Sequence, residues 1–339
     1  ITVEFSAEGA ASFFEVLGVQ VSERDPRSDV PDQGTLYELS GESCIPGIIN
    51  SDFLSIFEEA AVLRKAPSDP NEIISNTFIE EERTLYFGPR LVNSRSEMRV
   101  KIANPTKVPI TVNIDMAAKG SESNAFEVLE PKQLQIPMHE HRYATILFEP
   151  TGLQTFIASL EANVELGSEP KTNSLVFEVR GEGTLPRVSI LEPKLRNDKG
   201  QALCKFKRLL KGKEQTMSIM IKNEGILPAN VRFGRLAPWP VAEGEEAVVA
   251  NALDSFTFSG KGADLMLQAK QEKKYDVTFR PKDVGKLQAG ISMVVANNEF
   301  ESNMIQLTGE GFMQDVSIND LPEGSADTLA FGNLTVGVQ

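Results

Sequence analysis

The two histidines, His139 and His141, sit in the run PMHEHR. A His-x-His pair on a strand puts both rings on one face, where they can ligate zinc. No third ligand accompanies them in the sequence, so ordinary turn residues are the plainer reading. The only thiols, Cys44 and Cys204, lack C-x-x-C spacing, and neither a redox pair nor a zinc site is expected. The runs GEGTLP (Gly181–Pro186) and GEGFMQ (Gly309–Gln314) offer glycines to a phosphate but lack the third glycine of G-x-G-x-x-G and open no helix. They read as repeat junctions, where glycine permits a turn closed to other residues and Pro186 stiffens the exit. Asn333-Leu334-Thr335 matches a glycosylation sequon, a pattern of low information. This inventory assigns no catalytic residue, no cofactor and no metal, and the expected class is non-enzymatic.

Two features suit partner binding instead. CKFKRLLKGK places Lys205, Lys207, Arg208, Lys211 and Lys213 within nine residues. With strand alternation, Lys205 and Lys207 share the face opposite Phe206, and such a patch can meet the acidic surface or tail of a partner. The bland alternative is a solvated edge that discourages strand pairing. The second feature is the sole tryptophan, Trp239, braced by Pro238 and Pro240 in RLAPWPVAEGEEAVV. It reads as a partner anchor or as a cap on its own core, with Glu243, Glu245 and Glu246 solvating the loop.

The elements that must hold these residues follow from length and repetition. At 339 residues the chain predicts two to three domains. Its net charge of −14 is the wrong sign for bulk attraction to nucleic acid or anionic membrane, and neither is expected as a partner. Residues 188–315 depart from that balance, with 18 basic and 16 acidic groups. Two cysteines fit a reducing, intracellular compartment, and no apolar stretch is long enough to span a bilayer. The start at Ile1 and the strand-like run Leu329–Val338 at the end suggest an excerpt of a longer protein.

The chain repeats itself, which decides its architecture. The stretch starting at Leu85 lies over that starting at Cys204, matching Phe87 to Phe206, Leu91 to Leu210, Ile102 to Ile221, Asn104 to Asn223 and Pro109 to Pro228. Farther on, the stretch from Ala144 lies over that from Tyr275, and the second copy is longer between Gly234 and Tyr275. Copies close on YELSGESCIP, FEVRGEGTLP and IQLTGEGFMQ. Within each copy the apolar period is two: Val100 and Ile102; Ile110, Val112 and Ile114; Phe156 through Val164; Met217, Ile219 and Ile221; Leu287 through Val295. That is half-buried strand.

About seven short strands per copy, separated by turn signals, predict an immunoglobulin-like sandwich of two antiparallel sheets. The organisation expected is the C-terminal part of one module in 1–50, a linker with a short helix in 51–76, whole modules in 77–187 and 188–315, and the start of a further module in 316–339. The helix rests on Phe53, Ile56, Phe57, Ala60 and Ala61, spaced to share one face over about three turns. It packs either between modules or on the surface of one.

FEVRGEGTLPRVSILEP (Phe177–Pro193), the run Leu203–Val231 and SGESCIPGIINSDFLSIFEE (Ser40–Glu59) resemble the hydin family, very large ciliary proteins of repeated ASH-type domains, themselves related in fold to the major sperm protein. The resemblance covers most of residues 36–318 and implies an all-β tandem array of ASH modules. It further implies a structural scaffold in the central apparatus of motile cilia and flagella, localised to the axoneme. The partners implied are central-apparatus proteins and the central-pair microtubule, touched directly or through neighbours. Residues 9–33 and the insert after Gly234 depart from the repeat, and Phe13, Phe14, Val16 and Leu17 are expected to form an extra element. The rival reading is an ASH-domain adaptor at the centrosome, the basal body or in trafficking.

Overall fold

A computed structural model describes residues 2–7, 9–20, 22–23, 34–69, 72–73, 76–118, 125–239, 252–262, 264–300 and 302–314. The expected further module in 316–339, the sequon at Asn333, Pro240 and the acidic Glu243, Glu245 and Glu246 lie outside them. Among the described residues the chain is all-β apart from single helical turns. Its elements are β1 (Ser12–Val19), β2 (Thr35–Glu42), α1 (Phe53–Ile56), β3 (Ala61–Leu63), β4 (Thr77–Ile79), β5 (Thr84–Leu91), β6 (Ser96–Ala103) and β7 (Ile110–Ala118). Then come β8 (Phe126–Val128), β9 (Gln133–Ile136), β10 (His141–Phe148), β11 (Thr155–Val164), β12 (Ser174–Thr184), β13 (Val188–Glu192) and β14 (Ala202–Leu210). The last are β15 (Gln215–Asn223), β16 (Ala229–Phe233), β17 (Phe256–Phe258), β18 (Asp264–Leu267), β19 (Glu272–Phe279), β20 (Gly285–Val295) and β21 (Ser302–Phe312).

Two compact units divide the chain, one built from residues up to Pro186 with Gly225–Pro228, the other from Arg187–Glu224 and from Ala229 onward. In the first, a seven-stranded sheet in the order β3-β4-β5-β12-β11-β7-β9 and a three-stranded sheet β6-β10-β8 share one core. In the second, sheets β14-β21-β20-β16-β18 and β13-β15-β19-β17 do the same. Both are immunoglobulin-like sandwiches, with one difference from the expected pairing: β5 runs parallel to β12, and β14 parallel to β21.

Period-two alternation reads out directly as burial. Val100, Ile102, Val112, Ala158, Leu160 and Ala162 are buried in the first unit, and Ile219, Ile221, Leu287, Ala289, Ile291 and Met293 in the second. Repeat-matched aromatics anchor each core. Phe87 and Phe126 close on Phe148, with ring centroids 5.5 and 4.5 Å away, while Phe206 and Phe256 close on Phe279 at 5.3 and 4.9 Å. The matched asparagines are buried too: the Asn104 amide donates to the carbonyls of Val108, Ile136 and Pro137, and that of Asn223 donates to Leu267.

Three expectations change. The helix shrinks to α1, a single turn capped by the Asp52 carboxylate accepting from the Ser55 N–H. Ala61 has already entered β3, parallel to β4, and Phe57 is buried against Phe78 and Phe177. The segment therefore packs into the core of the first unit rather than lying on its surface. Isolated short helices are marginal, and burial of the rings outweighs the helical pattern. Second, Phe13, Phe14, Val16 and Leu17 fall in β1, whose antiparallel pairing with β2 mirrors that of β11 with β12, so they fill an ordinary repeat position. Third, the G-E-G glycines lie inside β12 and β21, and none has positive φ. Their role is close approach: the ring of Phe148 covers Gly181, that of Phe279 covers Gly309, and Phe5 covers Gly41 in the ribbon β1–β2.

The hairpin between β11 and β12 holds Leu166 at φ 60, and the matched Asn297 between β20 and β21 has φ 61. Asparagine tolerates this left-handed region, whereas a leucine there is strained. Leu166 is 89% exposed and contributes no packing. Leu166→Asn should therefore raise the urea midpoint, by about 1 kcal/mol of stability; a lowered midpoint would show that the tip is held by contacts of the leucine itself.

Candidate partner-binding surface

The basic run starts on β14, an edge of the five-stranded sheet. A bulge interrupts its pairing with β21: Lys205 opposes Thr308, Arg208 opposes Glu310, and Phe206 and Lys207 together face Gly309. The bulge sends Phe206 into the core, returns Arg208 to the outer face shared with Lys205, and leaves Lys207 exposed at the edge. The expected pairing of Lys205 with Lys207 on one face is thus replaced by Lys205 with Arg208. The Lys207 N–H donates to Gln215 Oε1 at 2.9 Å, which satisfies one edge donor. Lys211 and Lys213 lie in the turn after β14, exposed, around Gly212 at φ 86. The five charges are therefore split among face, edge and turn.

On the face, the Arg208 guanidinium meets Glu310 at 3.1 Å and lies over the Phe312 ring at 4.9 Å. Register brings in a further cation that the run does not contain. Lys286 of β20 opposes Glu310 from the other side, so Arg208, Glu310 and Lys286 form one row across three strands. Gln288, Thr308 and Lys205 form the next row, and Gly290, Gln306 and Leu203 the row beyond.

Trp239 belongs to that last row. After β16 the chain rejoins β20 through two backbone bonds between Ala237 and Gly290, 3.0 and 2.8 Å long. The indole then lies over Gly290: a Cβ there would come within 3.1 Å of Trp239 Cε3 and 3.2 Å of Met304 Cε. Trp239 is half-buried on the outer face of its own sheet, not part of the core. Gly234 makes room for the crossing, since a Cβ at that position would meet Ser292 Oγ at 2.2 Å.

The other candidates separate. His139 is a turn residue with φ 59, while His141 begins β10 and packs edge-on to Tyr143 at 5.4 Å. They do not share a strand. Among the described residues, no three His, Cys, Asp or Glu side chains gather to hold a metal, and no helix is long and apolar enough to cross a membrane. Cys204 is wholly buried in the second core, and burial pushes its thiol up to about 12, far from the reactive range.

The folding pattern defines tandem β-sandwich modules that display their side chains on broad sheet faces. No family model matches the chain. It is 29% identical over 343 residues to the hydrocephalus-inducing protein of Mus musculus, covering 95% of this chain and 6% of that one. With the Homo sapiens homolog the figures are 29% over 341 residues, 95% and 7%. This likeness supports assigning the chain to the hydin family, and the chain spans only about a fifteenth of the curated relatives it matches. Among solved structures, an ASH/PapD-like domain of human CEP192 (PapD-like domain 7) is 16% identical, with 36% of this chain and 93% of that one covered and a TM-score of 0.27. A C. elegans MSP family member, WR4, is 8% identical over 31% and 94%, with a TM-score of 0.21. The sandwich assignment rests on the strand order, not on those scores.

Proposed function

We propose that the chain is part of a non-enzymatic structural scaffold of the axonemal central apparatus in motile cilia and flagella, linking central-pair projections to the microtubule. The likeness over 95% of the chain to hydrocephalus-inducing proteins of two mammals carries this reading, and it supports a cilia-related protein in general terms. Tandem sandwiches with separate cores suit the role physically. Each module presents its own faces, and many weak contacts along one chain combine into firm attachment.

The partners proposed are central-apparatus proteins and the central-pair microtubule. With a net charge of −14, contact runs through local surfaces and neighbouring proteins rather than bulk attraction to acidic tubulin. The test is capture of partners from detergent-extracted motile axonemes on the immobilised chain, read by mass spectrometry, with microtubule co-sedimentation alongside. Enrichment of central-apparatus proteins is expected. Enrichment of centrosomal or coat proteins without any axonemal partner would overturn the reading in favour of an adaptor.

A further inference from the structure

The outer face of the β14–β21–β20 sheet combines features that the matching face of the first unit lacks. Trp239 and Met304 supply an apolar end above Gly290. Lys205 lies one row along, and Arg208 and Lys286 flank Glu310 two rows along. Rows two residues apart are separated by about 7 Å, so the three rows span roughly 14 Å, the reach of about five extended residues. Glu310 meets Arg208, whereas among the described residues Lys205 and Lys286 form no ion pair. Where the second unit carries Gly290, Ser292, Gly234 and Gln306, the repeat places Ser159, Glu161, Asp115 and Glu178 in the first, and Tyr86 and Thr155 replace Lys205 and Lys286. The first face thus carries more carboxylates, with Arg180 over Tyr86 as a cation where the second has Thr308, and a serine in place of Gly290. The second is basic, and Gly290 admits its aromatic.

We propose that this face binds an extended acidic peptide segment of a partner protein, with an apolar side chain against Trp239 and Met304 and carboxylates two and four residues further on. The first carboxylate meets Lys205, and the second sits between Lys286 and Arg208. Backbone bonds at Ala237 hold the tryptophan in place before binding, which lowers the ordering cost of an aromatic anchor. Among the described residues of these rows three cations line the face and a carboxylate lies among them, which favours a short acidic peptide over a nucleic-acid backbone. The inference rests on the scaffold reading only in taking the partner to be a protein.

The test uses the 339-residue chain and a capped peptide, Gly-Phe-Gly-Glu-Gly-Glu-Gly, with its reversed sequence and a single-stranded oligonucleotide as competitors. Trp239 is the only tryptophan and reports binding by its own emission. The forward peptide should shift that emission. The pair Lys205→Glu and Lys286→Glu should weaken binding about tenfold, and Lys211→Glu with Lys213→Glu should change it by less than about twofold. Glu310→Gln should tighten it. All these positions are exposed or half-exposed, and circular dichroism verifies the fold of each variant. An unmoved tryptophan at saturation, equal sensitivity to the turn lysines, or an oligonucleotide that competes as well as the peptide would each overturn the proposal. None of these outcomes bears on capture of axonemal proteins, so the two readings fail separately.

Discussion

Gly183→Ala and Gly311→Ala should each cost about 3 kcal/mol of stability, near the upper end for overpacking a tight site. A Cβ on Gly183 would stand 2.0 Å from the Gly152 carbonyl oxygen and 2.9 Å from Pro150 Cβ. On Gly311 it would stand 2.2 Å from the Asp283 oxygen and 2.7 Å from Pro281 Cβ. Both obstacles are backbone or proline, which cannot rotate away as a flexible side chain does. The turn before β11 or β20 has to shift, and with it the hydrogen bond from the Gly183 N–H to the Gln154 oxygen. Gly152→Ala is the control, because nothing lies within 4 Å of a Cβ there. Urea unfolding followed by circular dichroism measures Gly183→Ala, and Trp239 emission follows Gly311→Ala in its own unit. A midpoint unchanged in both variants would show that the second glycine of G-E-G is not required by close approach.

The sequence carried the faces of these strands because alternation is local: Leu287, Ala289 and Ile291 announce their side without reference to any partner. Pairing is not local. The bulge at Phe206 and Lys207 exists only against Gly309, and nothing in CKFKRLLKGK marks which cation it displaces. Lys286 is absent from the basic run for the same reason, since register alone sets it beside Glu310. A usable signal did exist in the repeat: Ser159 aligned with Gly290 and Asp115 with Gly234 mark two places where the second copy needs space. The G-E-G glycines show the complementary limit. Composition reveals that a Cβ is forbidden, but a left-handed turn and a close neighbour forbid it equally. The spacing of Phe53, Ile56 and Phe57 likewise fits a helix or a cluster of rings facing one core, and only the position of Phe78 and Phe177 separates the two.

That cluster sets the second large effect. Phe57→Ala should destabilise the first unit by about 3–5 kcal/mol, the range for deleting a buried aromatic ring. Phe57 is 1% exposed. Its ring stacks on Phe78 at 4.0 Å and meets Phe177 edge-on at 5.0 Å, so truncation opens a cavity between α1, β4 and β12. Polar contacts pin the same segment from outside: Arg99 Nε donates to Glu59 at 2.6 Å, and the Tyr143 hydroxyl donates to Glu58. The hydroxyl holds the Glu58 carboxyl below its usual range, and the guanidinium does the same for Glu59. Both carboxylates are solvent-exposed, where ion pairs contribute little, so Glu58→Gln with Glu59→Gln should barely move the midpoint. Leu54→Ala, on the same helical turn but 73% exposed, should also be nearly silent. Hydrogen exchange supplies the spatial readout, with faster exchange expected in β3, β4 and β12 of Phe57→Ala. A loss below about 1 kcal/mol, the scale of a surface substitution, would mean that residues 51–63 form a detachable connector after all.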